Sequence, residues 1–179
     1  MNADERASIL PVGTVTLLVS DASRSDVGAV IPVHSGLQVE VTGTAVGEDT
    51  VVAVFGAVAD GLAAAIDLQR RRLTGPAPGH GGTAPRTAVH TGEALLRDER
   101  YYTGAALTRG ARLRDIAHEG QTLLSSATAS LVADALPEGT VLRDLGTHRL
   151  RDLSHADRVY ELRTTGFDRD FPPLRSLEA

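Results

Sequence analysis

Arg86-Thr-Ala-Val-His-Thr-Gly-Glu-Ala-Leu-Leu-Arg97, running on to Tyr102-Thr-Gly-Ala-Ala-Leu-Thr-Arg-Gly-Ala-Arg-Leu113, reads as strand, loop and helix. Thr87, Val89 and Thr91 alternate with Ala88 and His90, and β-branched residues at period two fit a half-buried strand. From Ala105 to Arg114, Ala106, Leu107, Gly110, Ala111 and Leu113 fall at helical spacing, with Arg109, Arg112 and Arg114 interleaved. Gly104 is a natural start for that helix.

Upstream, Val12 to Ser20 is a run of β-branched and apolar residues, the pattern of a buried central strand. It ends at Asp21. An aspartate at the exit of a buried strand reads first as a turn or helix cap; being rigid yet reaching solvent, it also suits Mg²⁺ or Mn²⁺. Gly28, Pro32 and Gly36 leave room for only a truncated helix, or none, before strand Leu37 to Thr42. Val46 to Thr50 is the turn into a second strand, Val51 to Phe55. Ala57 to Leu73 is an amphipathic helix, its last turn closed by Arg70, Arg71 and Arg72 either as a solvated end or as a phosphate grip. Thr74 to Pro85 is a Pro/Gly loop. Downstream follow strand Gln121 to Ser125, a short helix Ala127 to Ala135 with Ser126 as N-cap, and two segments of alternating pattern, Val141 to Leu153 and Arg158 to Leu162.

The 179 residues suit one domain with a single core. An apolar share of 42% and a charged share of 23% place the chain among ordinary globular proteins. A net charge of -5 offers no general basic field, so neither direct nucleic-acid binding nor an anionic membrane is expected. The absence of cysteine removes disulfides and thiolate metal sites. No apolar run reaches the ~20 residues of a membrane helix, and Met1 to Arg6 is unlike a secretory signal, so a cytoplasmic location is expected. All 18 basic residues are arginine, which rules out a phosphate-binding lysine and a Schiff base. The six histidines lack metal-ligand spacing.

Arg86-x-x-x-His-Thr-Gly-Glu93, Tyr102-x-Gly104, the Arg109 to Leu113 segment and Ala117-His-Glu-Gly-Gln-Thr-Leu-Leu-Ser125, taken in this order, resemble the class III nucleotidyl cyclase domain, in the actinobacterial type often fused to transcription regulators. The resemblance runs from about Leu10 to Leu162. It implies an α+β fold of the ferredoxin-like, palm type: a mixed sheet with helices on one face and a small C-terminal β unit. It divides the chain into a flexible leader at 1–11, a cyclase homology domain at 12–163 and a tail at 164–179.

The resemblance also assigns residues. Asp21 and Asp49 match the two metal-binding aspartates, which hold two Mg²⁺ or Mn²⁺ ions in an active enzyme. Thr108 stands where the family has a catalytic asparagine, and Arg112 matches the arginine that stabilises charge on the phosphates. Ala45 stands at the base-selecting lysine position and Tyr101 at the base-reading aspartate position. Tyr101 or Tyr102 would stack on a base, or pack on its own domain. His90 and His118 match positions of structural character. The shortened segment between Asp21 and Asp49 bears on the homodimer the family forms, because a long helix there helps build it.

Three retained positions against three lost imply a cyclase homology domain with weak or no cyclase activity, serving signal transduction by sensing a nucleoside triphosphate or other small ligand, or by protein interaction. The alternative is an active metal-dependent cyclase, of pyrimidine preference, making a 3′,5′-cyclic nucleotide and pyrophosphate.

Overall fold

The computed structural model describes residues 10–41, 46–47, 49–74, 84–98, 101–167 and 169–177. Ala45, Glu48, most of the leader and most of the Pro/Gly loop lie outside these residues.

Strand β1 (Gly13–Ser20) is buried from Val15 to Ser20, on both faces, as its near-continuous apolar run requires. It is flanked antiparallel by β3 (Val51–Phe55) and β4 (Thr87–Arg97). β2 (Leu37–Val41) lies outside β3, giving the order β2-β3-β1-β4 of a ferredoxin-like core. The short β5 (Tyr101–Thr103) pairs antiparallel with β4 and parallel with β2. On the other side of β4 follow β6 (Thr122–Ser125), parallel to it, then β8 (Asp157–Thr164) and β7 (Thr140–His148). The terminal hairpin thus extends the same eight-stranded mixed sheet.

Among the described residues four helices cover this sheet, and they cover both of its faces. Leu18, Ala53 and Val89 pack with residues of α1 (Arg24–Val30), α2 (Val58–Thr74) and α4 (Ser126–Val132). Val15, Leu17 and Val19 point the opposite way and pack with Ala106 and Leu107 of α3 (Ala105–Ile116). An expectation of helices on one face is corrected here. A strand that is apolar on both sides must be covered on both.

Between Asp21 and β2 a truncated helix does form. Ser23 caps α1, its Oγ accepting from the Asp26 N–H at 3.1 Å. Gly28 does not break the helix, because Val27, Val30 and Ile31 are buried on either side of it. A 3-10 turn, Ile31–His34, takes over with Pro32 in its first turn, where a missing N–H costs nothing. Gly36 then passes under the Phe55 ring: a Cβ built there would meet Phe55 Cε1 at 2.3 Å.

Helix α3 starts at Gly104 with φ of 115°, a conformation that a side chain would strain. The cap of α4 is Ser125 and not Ser126. Ser125 is the residue in extended geometry, so its Oγ is the one that reaches the Thr128 N–H. Beyond β8 the chain packs back on the domain. Leu174 joins the cluster of Leu113, Ile116 and Leu150, and the Arg175 N–H donates to the Ile116 carbonyl at 3.3 Å.

Candidate functional site

The register β1–β3 pairs Ser20 with Val51, and β1–β4 pairs Ser20 with Thr87. Asp21, Thr50, Asp49 and Arg86 therefore gather at one end of three adjacent strands. Asp49 is exposed in the turn before β3. Asp21 is engaged. Its Oδ1 accepts from the Arg86 backbone N–H at 2.5 Å, and its Oδ2 from Arg86 Nε at 2.8 Å. Both side chains are about three-quarters covered (24% and 28% exposed), so this ion pair is shielded from solvent more than a surface pair is.

The second group sits on α3. Thr108 Oγ1 donates back to the Gly104 carbonyl at 3.5 Å, a long intrahelical contact. Arg112 lies one turn on, on the same side of the helix. Its Nη1 donates to Asp115 at 3.2 Å and its Nη2 to Asp152 at 2.6 Å, the latter on the loop between β7 and β8. The Arg112 side chain is only 13% exposed, and its buried Nε has no partner among the described residues.

A third arginine joins the two groups. Arg114 is buried. Its Nη2 stands 2.9 Å from Asp115 Oδ1, and its Nη1 donates to Thr50 Oγ1 at 2.8 Å. Asp152, Arg112, Asp115, Arg114 and Thr50 form one charge-linked chain from the β7–β8 loop to the start of β3. Arg86 opens the Arg-x-x-x-His-Thr-Gly-Glu motif, but its spacing does not announce a pairing with Asp21, and Arg114 and Asp152 belong to no motif. Only the three arginines of α3 followed by Asp115 hint at such a network.

Of the sequence-derived positions, the fold thus brings Asp21 and Asp49 to one strand end, and Thr108 and Arg112 to one side of α3. Ala45 lies outside the described residues. Tyr101 is half-buried on β5. Tyr102 is fully buried in the cluster of Val15, Leu17 and Leu107, and its hydroxyl donates to the Pro11 carbonyl at 2.5 Å. Burial pushes its phenol up to about 12. The notion that Tyr102 stacks on a base is corrected: both ring faces are committed to the core, and Tyr101 alone of the pair reaches solvent.

His90 is a core side chain. It faces α3 from β4, its Nδ1 is 2.7 Å from Ser125 Oγ, and burial, reinforced by the Arg109 charge, lowers it to about 4. His118 binds the Pro173 carbonyl through Nε2 at 2.9 Å and stacks with Phe171 of the tail.

The donors present do not suit a two-cation site as they stand. A guanidinium already neutralises Asp21, and a divalent ion brought to that carboxylate meets the Arg86 charge. Among the described residues no three acidic or histidine side chains converge.

The fold defines the class: this is the class III nucleotidyl cyclase fold. Adenylate cyclases of Trypanosoma brucei, solved in their monomeric state, superpose with a TM-score of 0.77 at 18% identity, over 94% of this chain and 97% of theirs. The guanylate cyclase domain of RhGC from Catenaria anguillulae, solved in complex with GTP, gives a TM-score of 0.66 at 16% identity, over 85% and 97%. An adenylate/guanylate cyclase/hydrolase of Silicibacter pomeroyi gives 0.69 at 20%, over 85% and 97%.

In sequence, the chain is 38% identical to the uncharacterized protein Rv0891c of Mycobacterium tuberculosis over 94% of its length, and 35% identical to Rv1359 of the same organism over 83%. It spans 62% and 57% of those two proteins. No protein-family model matches the sequence. Among the described residues no helix is long and apolar enough to cross a membrane.

Proposed function

We propose that this chain is a cyclase homology domain with little or no cyclase activity, working as a ligand-sensing or interaction module in signalling. The observation that carries the reading is the internal neutralisation of the groups a cyclase would use. Arg112, the candidate for stabilising a pentavalent phosphate, already faces two carboxylates. Asp21, the candidate first metal ligand, already faces Arg86. A hydroxyl in place of an amide at Thr108 weakens the ribose contact, and Tyr101 offers the base no carboxylate. Arg112 and Asp21 would each have to give up a partner before acting on a nucleotide, and that cost is subtracted from transition-state stabilisation.

The ligand class is a nucleoside triphosphate or a related polyphosphate. GTP is what the RhGC domain holds, on the same fold. A cytoplasmic setting and a homodimer belong to this reading. The two-turn α1 leaves the dimer to other surfaces than a long first helix.

One observation favours the alternative of an active, pyrimidine-using cyclase: Asp21 and Asp49 still share one end of β1 and β3. The test is turnover. The protein is incubated with Mn²⁺ and each of ATP, GTP, CTP and UTP, cyclic nucleotide is read by mass spectrometry, and Asp21→Ala serves as control. The expected result is no product above the control. Product that disappears in Asp21→Ala overturns the proposal and identifies the substrate.

A further inference from the structure

We propose that Asp152 is a latch over Arg112, a built-in anion that holds the guanidinium until the polyphosphate group of a ligand displaces it. The proposal rests on the ligand-sensing reading above and names the device that regulates that site.

Three observations carry it. First, the contact is short and charge-assisted, Arg112 Nη2 to Asp152 Oδ2 at 2.6 Å, while the Asp152 side chain is 57% exposed. The carboxylate can therefore swing out into solvent, and it is that departure which opens the largely covered guanidinium to an incoming anion. Second, Asp152 has φ of 64°, the left-handed region that a non-glycine residue enters at a cost. The loop holds Asp152 in this conformation at the position that pairs with Arg112, and the cost, small for an aspartate, is met by the surroundings. Third, those surroundings are visible. Leu150 is buried and Leu153 packs with the same cluster, on either side of the strained residue. The Leu177 N–H donates to the Arg149 carbonyl at 3.3 Å, and His148 Nδ1 lies 2.9 Å from Ser176 Oγ, so the tail straps the loop in place.

The guanidinium also keeps capacity in reserve. Arg112 Nε is buried without a partner among the described residues, and Asp115 is shared between Arg112, Arg114 and, at 3.8 Å, Arg151. When Asp152 leaves, three arginines share one remaining carboxylate. That cluster is deficient in negative charge, and a ligand presenting several phosphate oxygens to it supplies what is missing. The chemistry recognised is that of a polyphosphate, free or as part of a nucleotide.

The experiment is calorimetric titration of the full chain with inorganic tripolyphosphate and with ATP, in EDTA and at low salt. Asp152→Asn removes the charge and keeps a side chain that tolerates φ above zero, and Asp152→Gly removes both charge and strain, so at least one folded variant is expected. Both should bind tripolyphosphate about fivefold more tightly than wild type, the scale of a partly exposed ion pair. The gain should vanish when Arg112→Gln is added. Equal affinity in wild type and variants overturns the latch, and so does a gain that survives without Arg112. A gain confined to ATP overturns the polyphosphate assignment. Cyclic product from wild type would refute the low-activity reading by a separate readout, leaving this comparison intact.

Discussion

The Arg86 guanidinium lies 2.8 Å from the Asp21 carboxylate, across adjacent strands, and the backbone N–H of the same arginine holds the other carboxylate oxygen. One residue thus satisfies both oxygens of the aspartate at the exit of β1. If this pairing is what keeps a divalent cation away, Arg86→Gln should bind Mn²⁺ more tightly than wild type. Paramagnetic broadening by Mn²⁺, titrated in both proteins, checks this, and unchanged Mn²⁺ affinity would remove Arg86 as the obstacle. Asp21→Ala should also cost about 1–2 kcal/mol in urea unfolding, since two donors of Arg86 lose their acceptor.

His90 makes stability depend on pH. Its folded value near 4 lies below its ordinary 6.5, because burial and then the Arg109 charge disfavour the imidazolium. Between these values the unfolded chain binds more protons than the folded one, so stability falls as pH falls. The contribution is complete above pH 6.5 and is lost as pH drops through 6.5 toward 4. Its ceiling is about 3 kcal/mol. Urea midpoints between pH 7.5 and 4.5 should drop more steeply in wild type than in His90→Gln, and parallel slopes would contradict the assignment.

Gly36 passes so close to Phe55 and Ile31 that no side chain fits. A Cβ would stand 2.3 Å from Phe55 Cε1 and 2.7 Å from Ile31 Cγ2. Gly36→Ala must displace a fully buried ring, which should destabilise the domain by about 2 kcal/mol or more. Its backbone angles are ordinary, so the loss is one of space alone. Thermal melts of Gly36→Ala and Gly28→Ala separate the two causes. A Cβ at Gly28 meets nothing within 4 Å and should be neutral or mildly stabilising.

Tyr102 should reveal itself by its ionisation. Burial pushes its phenol up to about 12. In an alkaline absorbance titration a phenol step near pH 12 should be present in wild type and missing in Tyr102→Phe. That variant also loses the bond to the Pro11 carbonyl and should cost about 1 kcal/mol in chemical unfolding. A titration that Tyr102→Phe leaves unchanged near pH 12 would place Tyr102 outside the core.

Much of the fold was legible because its signals are local. β1, β3, β4 and β6, together with α2 and α3, were readable from apolar periodicity, and their boundaries moved by a few residues at most. The misreadings have physical causes. Gly28 was taken for a breaker, yet buried neighbours on both sides outweighed its backbone entropy. Ser126 was taken for the cap of α4 because a cap depends on backbone angles that residue type alone does not specify. The face covered by α3 was not legible either, since periodicity tells that a strand is buried twice and not which helix covers which side.

What the sequence alone determined is the order of strands and helices, the absence of lysine and cysteine chemistry, and which residue types stand at Asp21, Asp49, Thr108 and Arg112. What only the tertiary structure decided is which charges meet. Asp21 finds Arg86, Arg112 finds Asp152 and Arg114 finds Thr50 across 65, 40 and 64 positions of chain. Periodicity is a property of neighbours along the chain, whereas an ion pair is a property of strand register and loop path, and these are fixed only when the two faces of the sheet are buried together.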